Sequence, residues 1–319
     1  RKWVVAPKED NVTVTAKLRD LEMSNVVRKT FARMANRLLD PVFSEQLSSA
    51  QQAFTSAGDI TRNSVMMHSL FRDYQYLPGF RDQLGLLLTL DCSKGYNRTG
   101  WTWLARCLKH SRLPTPLCTL LLTFLPGMAH LVFRGVESAG VTFHTGLTQG
   151  CPLSCLLFIL VVDPLLTRLQ KVPGVLGVSG FVDDWAAFCK GLDTLCTLRP
   201  ILVMFTKASG LEVNVEKSGV CPTRPLTDTE RAMCLSVWNG IKILLNTRIL
   251  GLRIGIHATI EDRYEVPFEK FTQALSDFGN IRQRLSMAMR IAVINVFFLF
   301  SVFFREPVLF YAAPITSTC

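Results

Sequence analysis

Paired cysteines and closely spaced histidines are missing from this chain. Its 319 residues include five histidines, none at zinc-binding spacing, and 10 cysteines that stand singly, the closest approach being Cys151 to Cys155. That excludes a zinc finger and a disulfide framework, and the thiols read as core filler in a reduced, intracellular protein. Acid is in deficit as well: 25 Asp and Glu stand against 35 Lys and Arg, a net charge of +10, with a sequence pI of about 9.3. Basic residues gather early, at Arg1, Lys2, Lys8, Lys17, Arg19, Arg28, Lys29, Arg33 and Arg37. Such a balance suits a polyanionic partner such as nucleic acid, or a solubilising surface.

Internal repeats and low-complexity linkers are absent too, and so is a long apolar run. The strongest, Ala292 to Phe304, covers 13 residues between Arg290 and Arg305. A membrane span needs about 20 residues, so a buried helix and no membrane partner are expected, with a membrane or aggregation-prone surface as the lesser alternative. Arg1-Lys2 is followed only by Trp3 to Ala6 before Pro7, which is no signal peptide, and the missing initiator methionine predicts a fragment or a processed chain. What remains is 49% hydrophobic, with a mean hydropathy of +0.26, enough for a large core in one multi-lobed unit or two to three subdomains.

Periodicity predicts a mixed α/β order. Helical spacing covers residues 21–40, ended by Pro41, then Thr61 to Tyr74 after Gly58-Asp59. A short, continuous apolar strand, Gly85 to Leu90, follows, then a loop at Cys92 to Gly100 and helices at Trp101 to Lys109 and Leu117 to Leu125. A hairpin is expected over Ala129 to Phe143, turning between Gly135 and Gly140. Ser154 is a candidate N-cap for a helix to Leu169, with Pro164 set to kink it. A second hairpin precedes a helix at Leu192 to Ser209, alternation at Leu211, Val213 and Val215 reads as a strand, a hairpin is expected near Leu250 to Ile256, and the last third is helical and rich in Phe.

Phe181-Val182-Asp183-Asp184 lies at the tip of that second hairpin. Adjacent carboxylates repel at neutral pH, and a fold that keeps them usually supplies a cation; a solvated Asp turn is the bland alternative. A further carboxylate, Asp91, stands at the end of the apolar strand, as a ligand or a helix cap. With no histidine or cysteine set to share, Asp and Glu become the candidate ligands, which favours a hard ion such as magnesium.

Leu90 to Asn97, Gly146 to Ser154 and Phe181 to Asp184, in that order, resemble the three palm motifs of reverse transcriptases, closest to the non-LTR (LINE-type) retrotransposon family. Ser209 to Ser218 resembles the next palm motif, Ile249 to Gly255 the primer-grip hairpin, Val4 to Lys8 and Leu18 to Leu21 the fingers segments, Gln51 to Phe54 a Gln-x-x-Phe element and Leu285 to Ile291 a thumb segment. The chain departs from the family at Arg19-Asp20-Leu21, Asn97, Thr148, Val182 and Met289, where Arg-Pro-Ile/Leu, Asp, Arg, Ala and Gly are usual.

The resemblance implies an α+β, right-hand polymerase fold with an antiparallel palm sheet flanked by helices: fingers over 1–84 and 112–145, palm over 85–111 and 146–255, thumb over 256–319 and incomplete. It implies an RNA-directed DNA polymerase, a nucleotidyltransferase adding dNTPs to a primer 3′ hydroxyl by two-metal-ion chemistry with two Mg2+ ions, or Mn2+ in their place. Asp91, Asp183 and Asp184 are the implied catalytic carboxylates and metal ligands, with the Cys92 carbonyl added. Lys8, Arg19, Tyr96, Gln149, Gly150 and Lys217 are implied in nucleotide binding, Tyr96 as the ring that rejects a 2′ hydroxyl. Read one at a time, Tyr96 is an ordinary buried tyrosine, Gln149-Gly150 a turn, and Lys8 and Arg19 surface charges. Gly251, Gly255 and Arg290 are implied in primer or template contact, with Arg290 as a helix cap in the alternative. The implied partners are an RNA template, a DNA primer and dNTPs, within a larger polyprotein that has an endonuclease region; neither endonuclease motifs nor a zinc knuckle occur in these residues. The expected location is a ribonucleoprotein in nucleus or cytoplasm. The alternative is a catalytically impaired or domesticated module that holds RNA or a protein partner; a maturase is weaker still.

Overall fold

The computed structural model describes residues 2–7, 18–55, 58–133, 135–259, 272–273, 276–278, 286–287 and 289. Its first part runs β1 (Lys2–Pro7), β2 (Leu18–Met23), α1 (Val26–Gln46), α2 (Ile60–Tyr76), β3 (Gly85–Ser93), α3 (Gly95–Arg98), α4 (Trp101–His110), α5 (Thr115–Leu122), β4 (Met128–Phe133) and β5 (Val136–Thr142). The second runs α6 (Ser154–Gln170), β6 (Val175–Phe181), β7 (Asp184–Lys190), α7 (Gly191–Ser209), β8 (Glu212–Val213), β9 (Gly219–Pro222), α8 (Asp228–Val237), β10 (Lys242–Ile243), β11 (Asn246–Ile249) and β12 (Leu252–Gly255). Nearly all of the residues expected to form a thumb lie outside the described residues, including the apolar run Ala292 to Phe304. Among the described residues, no helix is long and apolar enough to cross a membrane.

The central sheet has the order β10-β9-β3-β7-β6, with β8 paired to the end of β3. Strand β3 runs antiparallel to both β7 and β9. Its apolar run works because alternate side chains leave opposite faces. Leu86, Leu88 and Leu90 enter a large cluster with α6 and α7, whereas Leu87 enters a second cluster with Met67, Phe71 and Tyr74 of α2 and with Ile249, Leu252 and Ile254 of the β11–β12 hairpin. Each buried Leu contributes about 1.5 to 3 kcal/mol. Phe188 of β7 meets Phe71 and Tyr74 edge-on at 6.3 and 5.3 Å. The sheet is thus gripped on both faces, and its strand ends are held in fixed register.

A second sheet, β2-β1-β4-β5, joins distant parts of the chain, since β1 pairs in parallel with β4, Lys2 opposite His130 and Trp3 opposite Leu131. It is thinner, and most of β5 faces solvent.

Helix α1 departs from the sequence expectation at both ends. It starts at Val26 behind the Asn25 cap, whose side chain accepts from the Arg28 N–H, because Leu21 to Met23 belong to β2 and the Glu22 N–H donates to the Gln149 carbonyl at 2.8 Å. It also passes through Pro41 to Gln46. Proline deprives only the Arg37 carbonyl of its partner; Arg37 and Pro41 are exposed, so water can serve it, while one more turn buries Phe43 on the same face as Leu39. Helix α6 likewise continues through Pro164, with Leu153 rather than Ser154 as its cap residue. The expected loop after Asp91 contains α3, β4 and β5 pair as far as Phe133 opposite Val136, and the strand around Val213 has only two residues.

Candidate active site

Strands β6 and β7 pair Phe181 with Asp184, leaving a two-residue turn, Val182-Asp183. Val182 sits at φ 59°, the left-handed region that a β-branched side chain adopts only under strain of about 1 to 3 kcal/mol. The turn is pinned from below, where the Trp185 indole N–H donates to the Val182 carbonyl at 2.8 Å, and Trp185 itself is buried.

The same register places Asp184 directly opposite Asp91 of β3. Cross-strand neighbours lie about 5 Å apart, where like charges destabilise one another. Asp184, although open to solvent, has its carboxyl pushed above the usual carboxylate range, first by the protein packed around it and then by the charges of Asp183 and Asp91. The buried Cys92 thiol is raised to about 12, by burial first and then by Asp183 and Asp91. Asp91, Asp183 and Asp184 thus stand at one end of β3 and β7, where the charges of the first two act on the third.

Hard oxygen donors of like charge fit a divalent cation in donor chemistry. Among the described residues, no group of three or more His, Cys, Asp or Glu side chains is drawn close enough to hold an ion as it stands.

On one flank of the carboxylates opens a cleft of about 140 Å³, lined by Asp91, Asp184, Trp185, Lys217 and residues 247–250 of the β11–β12 hairpin, Arg248 included. The segment after β8 closes onto the end of β3: the Asn214 N–H donates to the Asp91 carbonyl at 2.8 Å, the Asp91 N–H to Ser218 Oγ at 3.1 Å, and Ser218 Oγ to the Asn214 carbonyl at 2.7 Å. This clasp fixes the Asp91 backbone and carries Lys217 into the cleft, beside the hairpin rather than beside Tyr96. The hairpin turns at Leu250-Gly251 with φ 48° and 91°, both positive as a type I′ turn requires. Gly255, at its base, lies against Leu245 and Asn246 with no room for a Cβ.

On the other flank stands Tyr96, its ring stacked on Phe158 of α6 at 4.7 Å and 10°. Its hydroxyl donates to Cys155 Sγ at 3.3 Å, and its carbonyl accepts from the Leu147 N–H at 2.6 Å. Beside it Gln149 Nε2 donates to Asn97 Oδ1 at 3.4 Å. Thr148 and Ser154 hydroxyls share a 3.3 Å hydrogen bond, which locks the entry to α6. Gly150, at φ 96°, lies against the Glu22 backbone, so this wall is tied to β2. Behind it the Arg28 guanidinium faces the buried Glu22 carboxylate at 3.4 Å, donates to the Phe124 carbonyl at 2.6 Å and covers the Phe124 ring.

The fold thus brings Asp91, Asp183, Asp184 and Lys217 to one end of β3 and β7, with Gly251 in the turn of the hairpin that lines the cleft and Tyr96, Gln149 and Gly150 in the wall beside α6. Arg19 occupies β2 opposite Ala6. Lys8 and Arg290 lie outside the described residues. Sequence reasoning missed Arg248, Asn214, Ser218, Trp185 and Cys155. Lys217 and Ser218 lay inside a quoted motif, so the polar pair Asn214 and Ser218 was within reach; Arg248 and Cys155 carried no local signal.

The model of the family described as reverse transcriptase (RNA-dependent DNA polymerase) matches residues 6–238. Two curated proteins named as the retrovirus-related Pol polyprotein from type-1 retrotransposable element R2 are similar. The one from Popillia japonica is 26% identical over 220 residues, 65% of this chain and 31% of that protein. The one from Nasonia vitripennis is 25% identical over 190 residues, 57% of this chain and 18% of that protein. The chain therefore spans less than a third of these relatives' length. Among solved structures, telomerase from Candida tropicalis with the TWJ fragment of telomeric RNA aligns at a TM-score of 0.53 and 10% identity, over 88% of this chain and 46% of that one. The Candida albicans counterpart aligns at 0.52 and 11%, over 85% and 49%. At such identities the likeness is one of fold, the right-hand polymerase with its antiparallel sheet. With the matched family covering most of the chain, and two retrotransposon Pol polyproteins similar to it, this protein belongs to the reverse transcriptase (RNA-dependent DNA polymerase) family and is a domain of the non-LTR type.

Proposed function

We propose that this domain extends a primer 3′ hydroxyl with dNTPs on an RNA template, using Asp91, Asp183 and Asp184 to hold divalent cations, Mg2+ foremost. The observation that carries it is Asp91 in register with Asp184 at the strand ends, between a cleft that holds Lys217 and Arg248 and an aromatic-amide wall. Bound ions would supply charge stabilisation for the attacking and leaving oxygens of an in-line phosphoryl displacement.

The remaining work belongs to the chain. Lys217 and Arg248 offer charge-assisted contacts to phosphate on the primer side; the Leu250-Gly251 turn presents the hairpin backbone there. On the nucleotide side, Tyr96 blocks the place of a 2′ hydroxyl, and Gln149, its amide nitrogen occupied by Asn97, turns its carbonyl oxygen toward a ligand. Lys8 and Arg19 serve the triphosphate and Arg290 a backbone phosphate. In this reading β1, β2, β4 and β5 with α1 and α2 make the fingers and the β3 sheet the palm, inside a larger polyprotein with a nucleic-acid-cutting region.

Primer extension on poly(rA)/oligo(dT) with dTTP and Mg2+ tests it. Wild type should incorporate dTTP and Asp183→Asn should lose incorporation by at least about a hundredfold, as for loss of a group that acts at the transition state. Equal synthesis by the variant would sink the metal role. Salt-dependent RNA binding without synthesis under any divalent ion would favour a module that only holds RNA.

A further inference from the structure

We propose that Cys155 is a positioning residue for sugar selection: its sulfur fixes the phenol of Tyr96, and so fixes where the ring meets the sugar of an incoming nucleotide. This rests on the polymerase reading above.

Cys155 and Phe158 are three residues apart on α6, hence on one face of its first turn. That face meets Tyr96 twice. Phe158 lies flat against the ring, at 4.7 Å and 10°, which sets the plane but lets the ring slide within it. Cys155 Sγ takes the hydroxyl at 3.3 Å, which stops the slide. The main chain on either side leaves no slack. The Tyr96 carbonyl is held by the Leu147 N–H, and any Cβ at Gly95 would stand 2.8 Å from the Phe158 ring and 3.2 Å from Cys92 Sγ, so only glycine permits the stack. Burial raises both the phenol and the Cys155 thiol, which keeps donor and acceptor neutral over the working pH range. The charge of Asp183, one of the candidate catalytic carboxylates, also acts on that hydroxyl. Without the sulfur, the phenol would turn toward that charge or toward water, and the ring edge would shift with it.

The test measures kcat and KM for dTTP and for UTP on poly(rA)/oligo(dT), with wild type, Cys155→Ala, Cys155→Ser, Tyr96→Phe, Tyr96→Val and the double variant Tyr96→Phe/Cys155→Ala. Cys155→Ala should lower the dTTP/UTP selectivity by about threefold to tenfold, the span of one neutral hydrogen bond, chiefly through a lower KM for UTP. Cys155→Ser, which keeps an acceptor, should restore most of it. In the Tyr96→Phe background the alanine should have no further effect, because the hydroxyl it frees is already gone. Equal losses for both nucleotides, or an alanine effect that persists without the hydroxyl, would overturn the proposal. So would unchanged selectivity in Cys155→Ala while Tyr96→Val alters it. Wild type that makes no DNA removes the polymerase reading and this inference together; wild type that makes DNA with selectivity indifferent to Cys155 removes this inference alone.

Discussion

Two tight hairpin turns face the carboxylate cleft, and they are built in opposite ways. At Leu250-Gly251 both residues have positive φ, and a glycine takes the wider angle, 91°, with no atom within 4 Å of where its Cβ would be. At Val182-Asp183 the left-handed residue is a valine, with Trp185 bonded to its carbonyl and buried strands on either side. Leu250 shares the left-handed region with Val182, but it sits beside a glycine in open space, whereas Val182 is β-branched and held there by the bond from Trp185. Strain of that kind persists where the neighbouring structure over-determines the backbone, which is what placing two carboxylates beside a third requires.

The contrast can be broken most severely at the chemistry. Asp91→Asn leaves both turns intact in shape and should reduce primer extension by about a thousandfold, several kcal/mol of charge stabilisation lost; a steady-state rate near wild type would show that the strained turn serves something else. Gly251→Ala should cost about 1 to 2 kcal/mol, the left-handed penalty for a residue with a Cβ and no contact to offset it, read as a lower denaturant midpoint. Val182→Gly should do the reverse and gain up to about 1 kcal/mol, strain relieved less the added chain entropy of glycine, while primer extension falls. A variant both more stable and fully active would mean that the strain positions nothing.

The smallest effect is electrostatic. The folded-state pKa of Asp184 is raised, so the folded protein binds more protons than the unfolded chain between the ordinary carboxylate value of 3.8 and the higher folded one. Stability then falls as pH rises through that interval, and the penalty is complete at neutral pH. Asp184→Asn should therefore melt at a higher temperature than wild type at pH 7, and the gap should close as pH falls below about 4. A gap that stays constant with pH would assign the difference to packing.

How much of this could be read from the sequence depends on range. The β3 strand, its Asp91 terminus and the Asp183-Asp184 hairpin were legible, because an apolar run between turn signals is local information. So were the helices at Ile60–Tyr76, Trp101–His110 and Gly191–Ser209. Strand β9 was not: four residues, Gly219–Pro222, have too little pattern, although they pair with the centre of the sheet. Leu21 to Met23 read as helix because their apolar spacing continues into α1, and only the pairing with β1, distant information that no local spacing carries, makes them strand. The Tyr96 contact to Cys155 spans 59 positions and no spacing rule reaches that far. Val182 is illegible for another reason, since the turn it occupies calls for glycine and the sequence rule points away from what the fold imposes.

The parallel pairing of β1 with β4 also sets a schedule. Trp3 cannot find Leu131 until the chain has been made that far, and at roughly 5 to 20 residues per second the wait is on the order of ten seconds. During that interval β1 and β2 can form only an antiparallel pair of six residues each, short of the three strands that independent stability needs. The β3-centred sheet must wait longer still, for β6, β7 and β9. Synthesis thus leaves β1 without its β4 partner well before either sheet can close, a window in which that strand keeps an unpaired edge.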